Sequence, residues 1–282
     1  MLGTALVLAL TLAQAQAAPA PRQSAPQTDE TVAVQKGTRL NVNNFAGEVL
    51  LKTWDKDSLH VVARHQARAR VNIRQVTGAV NITSSGAMGP SSVDYEITAP
   101  AWMPVRIEGT YNFVTIEGAQ AEVFANTVRG DVVIRGGTGV ITAKSVEGEV
   151  DIHGARGKVT VSSVNETVKI ADSTGEITAE TVNGDIVYEG KIADGGHYAF
   201  NTHNGDISLG LPDNANATFS LRTYNGSVST DFTLTGFDRS QAHRGRRVTA
   251  TLGNGSADVS LETFGGAIRL RKGSVTRPSR GR

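Results

Sequence analysis

The sequence predicts an all-β fold: a single-chain β-solenoid with about 18–21 residues per coil and an irregular N-terminal β cap. Three observations predict it. Turn-and-strand units recur at a fixed step, with TVRGDVVIRG, SVEGEVDIHG, SVNETVKIAD and TVNGDIVYEG starting 18 residues apart, at Thr127, Ser145, Ser163 and Thr181. In a register that starts at Met103, Ala121, Gly139, Gly157 and Gly175, apolar residues hold their rows. The third residue of each unit is Val105, Val123, Ile141, Val159 and Ile177, and the fourteenth is Ile116, Ile134, Ile152, Ile170 and Tyr188. The composition agrees, with 31 Gly, only 5% aromatic residues and much Val, Ile and Thr.

The step explains itself physically. A strand of three to five residues cannot bury its apolar face alone. Stacking each strand on its copy one coil along merges the rows into a continuous core. A propeller blade needs a repeat of about 40 residues, and leucine-rich repeats need a Leu/Asn signature, so neither fits.

The elements follow in order. Leu2–Leu12 is an apolar run too short to span a bilayer, and Ala15-Gln16-Ala17 fits a small-residue cleavage pattern, so residues 1–17 read as a signal peptide. Residues 18–30 read as a disordered linker, APAPRQSAPQTDE. Residues 31–100 are strand-rich but unevenly spaced, and read as a cap with early coils, since an open solenoid end exposes unpaired strand edges. Residues 101–272 form the repeats. The tenth row runs Asn112, Gly130, Gly148, Glu166 and Gly184, and reads as a turn row needing positive φ, with Glu166 demanding a differently built corner. Asn-Gly at 183–184, 204–205, 225–226 and 254–255 reads as further tight turns. LPDNANA and TGFDRSQAHRGRR read as protruding loops, and 273–282 as a basic flexible tail.

Chemistry is sparse. The net charge of +1 gives no long-range pull toward nucleic acid or anionic lipid. The absence of Cys excludes disulfides and Cys-ligated metals. Carboxylates recur at the eleventh row, Asp131, Glu149, Asp185 and Asp206 with Thr167 interrupting. They read as ordinary corner residues; the alternatives are a Ca²⁺ site or the cleft of a polysaccharide-cleaving enzyme, which would lack its Arg or Lys base. Only His197 and His203 approach metal-like spacing, and they read as solvated or packed. No catalytic motif is present. No cofactor is expected.

Two features could carry binding. Arg244, Arg246 and Arg247 form a basic loop that reads as solvated, with contact to an acidic glycan as the alternative. A row two residues before the corner runs Val128, Val146, Val164 and Val182, then His203, Tyr224 and Phe264. It follows a hydroxyl row of Thr127, Ser145, Ser163, Thr181, Thr202, Thr223 and Thr263. Neighbouring strand residues face opposite ways, so only one row is buried. We read the Val row as core. Were it exposed, it would be a binding surface. His203 and Tyr224 mark the edge where regularity breaks, and with the loop they are the candidate binding residues.

The segment YEITAP leading into VRIEG, followed by many copies of [ST]-V-x-G-[DE]-[VI]-x-[VI], resembles the bacterial DUF4097 family of candidate adhesins over Val32 to Leu270. The resemblance implies an exported or envelope-associated β-solenoid and brings no catalytic residues with it. The expectation is an exported, non-catalytic module in the periplasm, at the cell surface or outside the cell. It would bind an unidentified macromolecule, a cell-surface protein or glycan, or scaffold the envelope. The alternatives are a carbohydrate-active β-helix enzyme and a polymerising bactofilin-like scaffold.

Overall fold

The 18-residue step is one coil of a β-solenoid. The computed structural model describes residues 28–86, 89–238 and 245–273. The signal-peptide reading, Arg244 and the tail past Gly273 lie outside the described residues. Among these residues there is no helix, and 22 strands join one mostly parallel sheet that does not close on itself. Val123, Ile141, Val159 and Ile177 pair in one parallel column, and Val132, Val150, Val168 and Ile186 in a second. Each coil thus contributes two short strands, such as Thr138–Lys144 and Val150–His153. Ile134, Ile152, Ile170 and Tyr188 point between the columns and are at most 1% exposed. Each such side chain contributes about 1.5–3 kcal/mol by leaving water.

The first coils are straighter. Arg39–Trp54 and Val105–Glu117 run unbroken through the corner and pair in register from Leu40 with Val105 to Lys52 with Glu117. The strand Arg39–Trp54 also pairs in parallel with Ala79–Gly86 and Val93–Pro100. These carry antiparallel partners, Ala69–Val76 and Ser58–His65, and Thr28–Ala33 lies antiparallel on the latter. Residues 28–30, expected as the end of a linker, are therefore strand.

The C-terminal coils do not stack in chain order. Asp258–Thr263 lies between His197–Thr202 and Ala217–Thr223, and Ile268–Lys272 between Ile207–Leu211 and Val228–Thr230. The last coil in sequence is thus inserted between two earlier ones. Arg247–Leu252 pairs antiparallel with Ala217–Thr223 and covers the outer edge of that strand, which would otherwise present unpaired N–H and C=O groups.

The corner overturns three sequence expectations. The hydroxyl row, not the Val row, faces inward: Thr127, Ser145, Ser163, Thr181, Thr202, Thr223 and Thr263 are all buried, and Val128, Val146 and Val182 are exposed. The reason is hydrogen bonding. The hydroxyls of Ser145, Ser163, Thr202 and Thr263 donate to the carbonyls of Gly130, Gly148, Gly184 and Gly205, 2.9–3.0 Å away in the neighbouring coil. From Ser163 onward the same oxygen accepts the N–H three residues ahead, as from Gly184 to Thr181 and Gly205 to Thr202. A buried corner backbone needs these partners, and Val could not supply them.

Second, the corner glycines Gly148, Gly184, Gly205, Gly226 and Gly266 do not have positive φ, whereas Gly130 at φ 122° and Gly255 at φ 72° do, as expected. Glycine is required there because coils touch: a Cβ on Gly205 would stand 1.8 Å from the carbonyl oxygen of Gly184. Asn112 is likewise not at positive φ; its buried side chain bonds to Asn44. Third, Glu166 keeps the common plan, its N–H donating to Ser163 Oγ at 3.2 Å. Positive φ recurs coil after coil in a different row, Gly118, Gly136, Gly154 and Gly190, in which Asp172 stands at φ 47°.

Candidate binding ribbon

Because the hydroxyls turn inward, strand alternation turns the residue after each of them outward. The result is a ribbon along the solenoid. Val128, Val146 and Val182 are 47%, 38% and 44% exposed, and Val164 between them is half-buried. Pairing extends the ribbon at the N-terminal end through Thr110 to Phe45. It extends at the other end to His203, Phe264 and Tyr224, in that spatial order, because the last coil is inserted. Eight coil steps of about 4.8 Å make it about 38 Å long.

The C-terminal end is a stack of rings. His203 and Phe264 lie 4.8 Å apart with planes 7° apart, and Tyr224 follows at 5.3 Å and 34°. The Arg222 guanidinium sits 4.6 Å from the Tyr224 ring centroid, reaches Glu262 at 3.4 Å and donates to the Gly245 carbonyl. Gly245 lies so close that a Cβ would meet the Tyr224 ring at 2.7 Å. Tyr224 is therefore half-buried rather than a free anchor. Arg247, expected in a protruding loop, opens a strand and bonds Glu262 at 3.3 Å and Ser220 at 3.1 Å. Arg246 is exposed. The structure thus unites His203 with Tyr224 through Phe264, and ties Arg247 to the same stack through Glu262.

Several ribbon residues were missed. Phe45 packs edge-on against Tyr111 at 5.5 Å, Phe113 is 57% exposed, and Arg129 lies over Tyr111 and pairs with Glu147. The signal was available: aligning LNVNNFAGEV with the coils puts Phe45 in the Val row. Beside the ribbon, Asn165, Asn183 and Asn204 form a ladder of side-chain amide bonds, each 2.9 Å.

The carboxylate row serves the backbone. Asp131 accepts from the Glu149 N–H at 2.8 Å, Asp185 from that of Asp206 at 2.9 Å and Asp206 from that of Ala267 at 2.7 Å. Lys169 pairs with Glu149 and Arg269 with Asp206. Among the described residues, no group of three or more His, Asp or Glu could hold a metal. His197 faces Asp258 at 3.4 Å, at the opposite end of its strand from His203.

Where the tall rings meet the short valines, the surface drops into an open groove of about 690 Å³. Its lining includes Val164, Val182, His203, Glu180, Asn201 and Glu262, and no Lys or Arg.

The Toastrack DUF4097 family pattern matches residues 27–271. The chain belongs to the Toastrack DUF4097 family. The match spans both the uneven N-terminal strands and the regular coils. No curated protein matches. Among solved structures, one match is a candidate cell adhesion protein from Clostridium sporogenes ATCC 15579. It is 10% identical, covering 87% of this chain and 99% of that one at a TM-score of 0.25, from which nothing about shared shape or role follows. No helix among the described residues is long and apolar enough to cross a membrane.

Proposed function

We propose that this chain is an exported, non-catalytic β-solenoid module that binds another macromolecule at the bacterial envelope, in an adhesin-like role. The observation that carries the reading is the ribbon: a line of about 38 Å in which Phe45, Val128, Val146, Val182, His203 and Phe264 are exposed and Thr110, Val164 and Tyr224 are half-buried. A monomeric surface has no reason of stability to hold such a line outward, and contiguous apolar surface marks contact sites. The coil rows next to it end in charged or amide side chains, Lys144, Glu147, Asn165 and Glu180, as the rim of an interface does.

Export is supported by Leu2–Leu12 followed by Ala15-Gln16-Ala17. A non-catalytic role is supported by the carboxylates, which are engaged with backbone N–H groups and cations rather than facing one another across a cleft. A polymerising scaffold is disfavoured by the antiparallel strands Ser58–His65, Ala69–Val76 and Arg247–Leu252, which interrupt parallel stacking at both ends.

The test compares wild type with a Val128→Asp/Val146→Asp double variant for retention on envelope fractions of the source cell, with Lys158→Ala as control. Both valines face water, so the double variant should unfold within a few degrees of wild type while binding falls at least about ten-fold. Undiminished binding by the folded double variant would overturn the proposal.

A further inference from the structure

The groove over Val164 and Val182 repeats the chemistry of a site that is filled farther along the ribbon. At the outer end of the ring stack, Arg222 lies over Tyr224 and pairs with Glu262. That site has three parts: an aromatic face, a carboxylate two residues before a ribbon residue, and a planar cation. At the inner end of the stack the first two parts recur. Stacking on Phe264 at 4.8 Å and 7° covers one face of His203 and turns the other toward Val182. Glu180 lies near the end of the strand Thr174–Thr181 and Val182 just past it; both are exposed on either side of the buried Thr181. Among the described residues no ion pair engages Glu180. Val182 and Val164 are short, which leaves the groove open above them. Its lining carries no basic side chain, and of its two carboxylates Glu262 is already paired with Arg222 and Arg247, which leaves Glu180.

We infer that this groove takes an arginine side chain from an extended segment of a partner protein, its guanidinium stacked on the free face of His203 and paired with Glu180. The inference rests on the reading of the ribbon as a binding surface. Charge complementarity selects a cation: Glu180 is the groove carboxylate that no ion pair engages among the described residues, and no basic side chain lines the groove. Planarity selects arginine over lysine, because a guanidinium stacks on a ring and meets a carboxylate through two N–H groups at once. A glycan stacking on aromatic faces is less well served. Both faces of Phe264 are covered by His203 and Tyr224, and the outer face of Tyr224 by Arg222, which leaves one ring face.

The experiment titrates the isotope-labelled full chain with the capped tripeptide Ac-Ser-Arg-Ser-NH₂ and follows backbone amide shifts. Lysine and citrulline versions and cellohexaose are the comparators. The arginine peptide should give saturable shifts at Val164, Val182 and His203. The citrulline peptide, isosteric but uncharged, should bind at least about five-fold more weakly, with the lysine peptide between them. Glu180→Gln should weaken the arginine peptide by at least about five-fold without moving the melting temperature. No saturable shift at those amides, equal binding of citrulline, or indifference to Glu180→Gln would overturn the inference. So would cellohexaose shifting the same amides while the arginine peptide does not, which would make the groove a glycan site. Val128 and Val146 lie outside the groove, so the double variant above still reads the ribbon itself if the arginine site fails.

Discussion

The Thr202 hydroxyl donates to the carbonyl oxygen of Gly184 at 2.9 Å and accepts from the N–H of Gly205 at 3.2 Å. One side chain thus ties its own corner to the coil beside it. Thr202→Val keeps the shape and removes both bonds, leaving a buried donor and a buried acceptor unpaired. The expected cost is about 1–3 kcal/mol, read as a lower denaturant midpoint with an unchanged slope. A neutral result would mean that the hydroxyl row does not hold the corners.

Gly184 and Gly195 separate two reasons for glycine. A Cβ on Gly184 would stand 1.9 Å from the Glu166 carbonyl, whereas one on Gly195, at φ +71°, would meet nothing within 4 Å. Gly184→Ala should force the coils apart and lower stability by several kcal/mol, as overpacking against backbone does. Gly195→Ala bears only the left-handed backbone cost of about 1–2 kcal/mol. Thermal melts of the two variants decide, and equal losses would contradict the close-approach account.

Ile152 sits between Ile134 and Ile170 in the second column and is fully buried. Ile152→Asp places an unpaired carboxylate in that stack and should cost at least about 4 kcal/mol or abolish folding. His153, one residue on, is exposed beside Asp172 at 3.4 Å. His153→Ala should change stability by less than about 1 kcal/mol. Comparable destabilisation by the two would refute the register.

The Tyr95 hydroxyl is buried without a hydrogen-bond partner. Burial pushes its pKa up to about 12, and nearby Ser84 offsets this only in part. Tyr188 is also pushed up, first by burial and then by Tyr198. A raised phenol pKa means the folded state keeps a proton that the unfolded chain releases. The stability is intact below pH 10 and falls as pH climbs from 10 toward 12. Phenolate absorbance should therefore omit Tyr95 and Tyr188 until the chain unfolds. Tyr95→Phe removes an orphan polar atom and should be neutral or stabilising by up to about 1 kcal/mol. Early titration of all five tyrosines in the folded chain would contradict this burial.

The coil was legible because its driving force is written at a fixed spacing: rows such as Val132, Val150, Val168 and Ile186 pair as their 18-residue step requires. The corner was misread because hydropathy ranks Val above Thr, and a hydrogen bond at a buried backbone outweighs that ranking locally. The Gly three residues after every Ser or Thr of the row but Ser163 was the clue. The corner glycines were read as turn formers, since a sequence does not reveal which backbones touch. The spatial order of Phe264 and Tyr224 was not legible either, because insertion of the last coil depends on which strand edge remains open. The candidate residues His203 and Tyr224 were found from a break in pattern and Phe264 was read in the same row, but its place between them, and Glu180 beside them, needed the three-dimensional arrangement.

The whole account depends on which corner row faces water, and a chain without cysteine makes that directly measurable. Thr181→Cys and Val182→Cys differ by one position on the same corner. In the native state a thiol reagent should modify the Val182→Cys variant within minutes, and the Thr181→Cys variant only after denaturant is added. Val146→Cys and Ser145→Cys should repeat the contrast two coils away. Rapid labelling at 181 with protection at 182 would place the valines in the core, and the ribbon would not exist.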